Sequence, residues 1–67
     1  MQFHERLRNE REDRDMTQTD LGNALFMSQR KISRLECKAT EPTTDEIIAF
    51  CKFFNKSADY MLVLTNE

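Results

Sequence analysis

The segment from residue 17 to residue 36, TQTDLGNALFMSQRKISRLE, constrains the fold of this chain more than any other part of it. Thr17 and Asp20 have the spacing of a capping box, and Ser28 is a further helix N-cap residue. Only Phe26 and Met27 separate the two helical runs, so the segment predicts two short helices joined by a tight turn. The second helix carries polar and basic side chains on one face and apolar ones on the other. A helix of this kind fits the major groove of B-DNA, where base edges can be read.

The length and composition favour one small all-α domain covering residues 1–67. A chain of this size buries only about 60% of its unfolded surface, which leaves no room for a catalytic domain with a deep cleft. Hydrophobic residues make up 39%, and Gly and Pro occur once each. The abundance of Leu, Glu, Arg and Lys favours helices over strands.

The cysteines and the single histidine do not suggest a metal site. Cys37, Cys51 and His4 form neither a CxxC nor an HxxxH pattern, so we expect no metal and no cofactor. No signal peptide is recognisable, and we expect a cytoplasmic, nucleoid-associated protein with free thiols. No apolar run approaches the roughly 20 residues that span a membrane. Neither a membrane partner nor a small-molecule ligand is expected.

The distribution of charge supports a nucleic-acid partner, although the net charge is −2. Between residues 28 and 40, four cations stand against one anion, Glu36. From residue 41 onward, five acidic residues outnumber two lysines. The basic charge therefore lies in the segment that would contact DNA, and the acidic remainder lowers non-specific affinity.

N-cap residues and the helical spacing of apolar side chains predict five helices. Asp15 is expected to end the first helix in a left-handed conformation. Gly22 is a poor helix former and is expected where another helix approaches closely. The predicted helices are 3–14, 18–25, 28–37, 44–55 with Thr44 as N-cap, and 58–64 with Ser57 as N-cap. The expected core-facing residues are Leu21, Leu25, Ile32, Leu35, Met61 and Leu62, with Ile47, Ile48, Phe50, Cys51 and Phe54 on the apolar face of helix four.

Several short motifs, in order, resemble the Cro-like, XRE-type (lambda-repressor-like) helix-turn-helix family of bacteria and phages. The matching residues are Thr17-Gln18, Leu21-Gly22, Ser28, residues 32–36, Pro42 and residues 57–62. The resemblance covers about residues 3–64 and implies five short helices, with the helix-turn-helix in helices two and three. It also implies a transcriptional regulator, most often a repressor. The chain departs from the family pattern at Phe26 and Lys38, where glycine is usual, and at Glu10, where an aliphatic core residue is common.

The first residues of the recognition helix, 28–37, are expected to reach base edges. Ser28, Gln29 and Arg30 open this helix. The Gln29 amide matches adenine N6 and N7, and the Arg30 guanidinium matches guanine O6 and N7. Ser33 lies one turn further along the same face and is expected to approach a base or a thymine methyl group.

A second group of residues is expected to contact the DNA backbone. The resemblance places Gln18 at the start of helix two, where its amide would donate to a phosphate beside the helix N-terminus. Arg34 is expected to reach a phosphate or the far edge of the site. Lys38 and Thr40 lie in a loop that the family places along the backbone, and Lys31 completes the group.

Arg11 and Glu36 are expected to have a structural role. In the resembling family these two positions form a partly buried ion pair between helix one and the end of helix three. An arginine fork can satisfy both oxygens of a buried carboxylate. Without a nucleophile or a metal beside them, the two residues make a poor active site, and we expect no enzyme activity.

The C-terminal segment from Tyr60 to Leu64 is apolar at five consecutive positions. One helix face buries only about half of such a run, so Tyr60, Val63 and Leu64 are expected at a homodimer contact. A dimer would bind a pseudo-palindromic operator with half-sites about 34 Å apart. The alternative is an antitoxin or antirepressor, whose main surface binds a protein.

Overall fold

The computed structural model describes residues 1–64, which form five α-helices and no strand. The helices are α1 (Phe3–Asp13), α2 (Gln18–Leu25), α3 (Gln29–Glu36), α4 (Thr44–Phe54) and α5 (Ala58–Met61). The predicted all-α architecture is confirmed. Within the described residues, no helix combines the length and the apolar character that a membrane crossing requires.

Local capping residues explain where most of the helices begin. The hydroxyl oxygens of Thr17, Ser28 and Ser57 accept hydrogen bonds from backbone N–H groups at the starts of α2, α3 and α5, as predicted. The predicted N-cap Thr44 is wrong, because Thr43 caps α4. Only Thr43 has a carboxylate three residues later, and its N–H donates to Glu46 Oε1 over 2.8 Å.

The helix ends depend on residues in the left-handed conformation. Asp15 adopts φ 56°, as predicted, although α1 already ends at Asp13. The predicted end of helix five at Leu64 is wrong, since α5 ends at Met61 and Val63 has φ 61°. The Leu64 N–H donates to the Asp59 carbonyl over 2.8 Å, and this closure turns the chain away from the helix axis.

All five helices contribute to one small hydrophobic core. Each of the core side chains is at most 2% exposed, and Phe3, Met16, Leu25, Met27, Cys51 and Tyr60 pack against them. Two residues expected to face inward are partly exposed instead, Ile48 at 45% and Leu62 at 38%. The core residues are Leu7, Leu21, Ile32, Leu35, Phe50, Phe54 and Met61.

The turn between α2 and α3 requires a residue without a side chain at Gly22. A Cβ atom built there would lie 2.5 Å from the Met27 carbonyl oxygen. A close approach at Gly22 was expected from another helix. The group that approaches is instead the backbone of the turn, which leads directly into α3. The Met27 N–H also donates to the Gly22 carbonyl over 2.8 Å, so the two backbones are held together at this point.

Phe26 follows α2 in a left-handed conformation, with φ 59° and ψ 38° and a side chain that is 99% exposed. We expect Phe26→Gly to stabilise the fold by about 0.5–1 kcal/mol. A left-handed non-glycine residue costs roughly 1–2 kcal/mol, and the larger backbone entropy that glycine loses on folding offsets about half of this gain. No buried contact is lost. Urea unfolding measures the change. Phe26→Ala keeps a Cβ atom and should give no gain, and a glycine variant less stable than the wild type would contradict this account.

Candidate nucleic-acid interface

The helix α3 divides cleanly into a buried face and an exposed face. Ile32, Leu35 and Glu36 are buried, while Gln29, Arg30 and Arg34 are exposed. Ser33 is half-buried at the border between the two faces. The helical period therefore presents an amide and two guanidinium groups on one side of the helix. Amide and guanidinium groups are chemically suited to hydrogen-bond with base edges in the major groove.

Ser28 supports the start of α3 with its side chain. Its Oγ accepts a hydrogen bond from the Lys31 backbone N–H over 3.0 Å. A hydroxyl that accepts in this way still has its own hydrogen to donate. The side chain is exposed, so a phosphate oxygen can reach it.

A chain of hydrogen bonds connects the exposed face of α3 to the interior. Gln29 Nε2 donates to Gln18 Oε1 over 2.8 Å, and Gln18 Nε2 donates to Glu36 Oε1 over 3.1 Å. Gln18 is the first residue of α2, so these hydrogen bonds join the two helices on either side of the turn. In the free protein, the hydrogen bond to Gln18 therefore favours one orientation of the Gln29 amide.

The inner end of this series of hydrogen bonds is a buried ion pair between Arg11 and Glu36. Arg11 Nε lies 2.8 Å from Glu36 Oε2, and Arg11 Nη2 lies 3.0 Å from Glu36 Oε1. Arg11 also donates to the Met16 carbonyl over 2.6 Å. The hydrogen bonds to Glu36 raise the pKa of Arg11, although burial acts in the opposite direction. The pair ties α1 to the end of α3.

The basic side chains around α3 fall into distinct environments. Arg30 and Arg34 are exposed, and within residues 1–64 neither side chain forms a hydrogen bond or ion pair. Lys38 has φ 61°, and its ammonium group donates to the neutral Gln2 Oε1 over 2.7 Å. Lys31 instead pairs with Glu46, with its Nζ 3.1 Å from Oε2. The expected contact of Lys31 with DNA would require this ion pair to break.

The loop after α3 packs beside the start of α1. Lys38 and the half-buried Thr40 line an open pocket of about 360 Å³ together with Gln2, His4 and other residues. This placement brings the N-terminus of α1 next to the two residues that the sequence analysis assigned to the DNA backbone.

The family model described as helix-turn-helix matches residues 7–61. The chain belongs to the helix-turn-helix family. A crystal structure of the P22 c2 repressor protein in complex with synthetic operator 9T aligns with a TM-score of 0.85 and 32% identity, over 92% of this chain and 94% of that chain. The solution structure of the DNA-binding domain of the P22 c2 repressor aligns with a TM-score of 0.83 and 31% identity, over 91% and 80% of the two chains. A comparison with curated proteins gave no match.

These comparisons confirm the Cro-like, XRE-type resemblance that the sequence motifs indicated. The helix-turn-helix consists of α2, the turn at Phe26 and Met27, and α3. Its exposed face brings Gln18, Ser28, Gln29 and Arg30 to one side of the domain, whereas Lys31 points toward α4.

Tyr60 does not match the expectation of an exposed side chain in this helix-turn-helix domain. It packs against the core, its hydroxyl donates to Glu10 Oε2 over 2.8 Å, and Arg6 donates to its carbonyl over 2.9 Å. The Arg6 guanidinium also lies 3.9 Å from the centre of the ring. Val63 is half-buried and Leu64 is 71% exposed, so of the three residues only Leu64 is largely free of the core.

Sequence reasoning missed the polar cluster that holds α5 on α1. Glu10 is 5% exposed and accepts hydrogen bonds from Tyr60 and Arg14. Burial alone would raise the pKa of Glu10, but these hydrogen bonds and the nearby charges of Arg14 and Lys56 lower it below its usual value. An acidic residue at an expected core position was the available signal, because a buried carboxylate requires a partner.

Proposed function

We propose that this chain is a sequence-specific double-stranded DNA-binding transcriptional repressor that reads the major groove with α3. The observation that carries the proposal is the exposed polar face of α3, whose Gln29 side chain is hydrogen-bonded to Gln18, within a fold that aligns with a repressor bound to an operator. A helix-turn-helix protein of this kind regulates by occupying DNA. We accordingly propose no enzymatic activity, and we propose that the protein acts on DNA in the cytoplasm.

Base recognition is assigned to Gln29 and Arg30. One amide hydrogen of Gln29 is donated to Gln18, which leaves the second hydrogen and the carbonyl oxygen for a base. That donor and acceptor pair is complementary to N7 and N6 of adenine. The unpaired guanidinium of Arg30 is complementary to O6 and N7 of guanine. Ser33 lies at the edge of the same face and is assigned to a neighbouring base.

Contacts to phosphates are assigned to groups at the border of this face. The second amide hydrogen of Gln18 is available at the start of α2, where the helix N-terminus also attracts an anion. Ser28 is the N-cap of α3, Arg34 lies on α3, and Lys38 and Thr40 lie in the following loop. Contacts of this kind fix the register of the protein on DNA without reading sequence.

A homodimer on a pseudo-palindromic operator remains part of the proposal. One domain presents few base-reading side chains, so two copies related by a two-fold axis increase the number of base pairs read. The exposed Leu64, with Val63 and the edge of Tyr60, forms the proposed dimer contact. Exposed apolar side chains at Ile48 and Phe53 support the alternative, an antitoxin or antirepressor that binds a protein.

Arg30→Ala and Gln29→Ala are each expected to cost about 1–3 kcal/mol on the cognate site and to relax base preference at one position. Lys38→Ala provides the contrast, because it should weaken binding to every duplex and flatten the dependence of log K on log salt by about one unit. Competition with base-substituted duplexes, chosen after selecting bound sites from a random pool, measures all three variants. If the Gln29 and Arg30 variants keep every base preference of the wild type, α3 is not the recognition helix.

A further inference from the structure

Of the four cations between residues 28 and 40, Lys31 is the one that forms an ion pair with an acidic side chain among the described residues. The only acidic residue of this segment, Glu36, pairs with Arg11 instead. Its Nζ lies 3.1 Å from Glu46 Oε2, across the gap between α3 and α4. The two side chains are only 33% and 16% exposed. Arg30 and Arg34 are unpaired, and Lys38 keeps its charge because its partner is a neutral amide.

Glu46 is held in place independently of Lys31. Its Oε1 accepts a hydrogen bond from the Thr43 N–H over 2.8 Å, and its own N–H donates to Thr43 Oγ1 over 3.2 Å. Although burial raises the pKa of Glu46, the hydrogen bonds from Thr43 and Lys31 lower it below its usual value. A fixed, ionised carboxylate therefore faces the Lys31 ammonium group at neutral pH.

The position of Lys31 on α3 makes this pairing consequential. Lys31 directly follows Arg30 and precedes Arg34 by three positions on α3. Its side chain is half-buried, so it lies at the border between the exposed and buried faces of the helix. A flexible lysine at such a border has the reach to contact a phosphate beside the recognition helix. The ion pair with Glu46 directs the ammonium group toward α4 instead.

We propose that the ion pair with Glu46 keeps the Lys31 ammonium group from contacting a DNA phosphate, which we call masking, and thereby lowers the affinity of this domain for DNA of any sequence. The proposal rests on the proposed DNA-binding function and adds a role for a residue that touches no DNA. Phosphate contacts supply most of the non-specific affinity, and each additional one steepens the dependence of log K on log salt by about 0.9. Masking one cation removes one such contact while leaving Gln29 and Arg30 free to read bases.

Glu46→Gln is the informative variant. Glutamine still accepts from the Thr43 N–H, so the capping box of α4 is kept while the ion pair is lost. We expect the affinity for a duplex without the operator to rise about fivefold to tenfold at 0.1 M salt, with a salt dependence steeper by about 0.9. Fluorescence anisotropy with a labelled random-sequence duplex, repeated over a series of salt concentrations, measures both quantities. Circular dichroism verifies that the variant keeps the helical content of the wild type.

Asp45→Asn is a matched control, because it changes the net charge equally at the adjacent, exposed position of α4. Asp45 has no ion pair among residues 1–64, so its replacement should change the affinity less than about twofold and leave the salt dependence unchanged. In the double variant Lys31→Gln/Glu46→Gln, the rise in non-specific DNA affinity that is expected for Glu46→Gln alone should disappear.

Two results would overturn the masking role. The Asp45 and Glu46 variants could raise the affinity equally, which would indicate a general charge effect. Alternatively, the gain could persist after Lys31 is replaced, which would show that another cation is responsible. A wild-type protein that binds duplexes but prefers no sequence would contradict the proposed function, whereas the comparison of the Glu46, Asp45 and double variants would still decide the masking role.

Discussion

Replacing Glu36 with alanine is expected to lower the free energy of unfolding by about 3–5 kcal/mol, because the change leaves the Arg11 guanidinium buried without its counter-charge. Arg11 is 9% exposed, and among the described residues the Met16 carbonyl is its remaining hydrogen-bond acceptor in that variant. Gln18 loses its acceptor at the same time, so the amide that orients Gln29 is released. Arg11→Ala should cost a similar amount, since it leaves a buried carboxylate. Urea unfolding followed by circular dichroism measures each change.

The double variant Arg11→Met/Glu36→Leu tests whether the two side chains act as one unit. Buried ion pairs are often replaced by apolar residues of similar volume at little cost, so the double variant should be far more stable than either alanine variant. Its operator affinity should nevertheless fall, because Gln18 remains without an acceptor. Losses that simply add in the Arg11→Ala/Glu36→Ala double variant would show that the two residues do not interact.

The order and type of the helices could be predicted because their signals are local. Thr17 with Asp20, Ser28 and Ser57 each start a helix where the sequence indicated. The capping-box spacing identifies Thr43 and not Thr44 as the N-cap of α4, because the carboxylate of Glu46 stands at the third helical position only when Thr43 is the cap. The early end of α5 was harder to predict, because β-branched Val63 is an unfavourable residue for a left-handed turn.

Interactions between distant positions could not be predicted from spacing alone. The ion pair of Arg11 with Glu36 was expected only because of the resemblance to a family. The family pattern marked Glu10 as an unusual core residue but did not identify its partner Tyr60, fifty positions away, and it gave no indication of the pair of Lys31 with Glu46. Each of these pairs depends on how two helices cross, and apolar periodicity does not specify which polar groups meet at a crossing.

Leu64→Asp is expected to prevent formation of the proposed homodimer and to lower operator affinity by at least about 100-fold. Leu64 is 71% exposed in the single chain, so an aspartate there leaves the core intact while opposing burial between two copies. A monomer binds one half-site, and each lost base-pair contact of the other half-site is worth about 1–3 kcal/mol. A 100-fold loss corresponds to about 2.7 kcal/mol, which two such contacts account for.

Ile48→Asp is the matched control for this prediction, because Ile48 is a 45% exposed apolar residue on α4, outside the proposed dimer contact. It should keep the dimer and most of the operator affinity. Sedimentation at several protein concentrations, with and without a palindromic duplex, gives the oligomeric state of each variant. Arg6, Glu10 and Tyr60 hold α5 on α1, and the Leu64 N–H donates to the Asp59 carbonyl, so Leu64 is positioned by contacts within one chain. A wild type that binds a palindrome as a single copy would exclude the dimer, and a dimer broken by the Ile48 variant but not by the Leu64 variant would place the contact on α4.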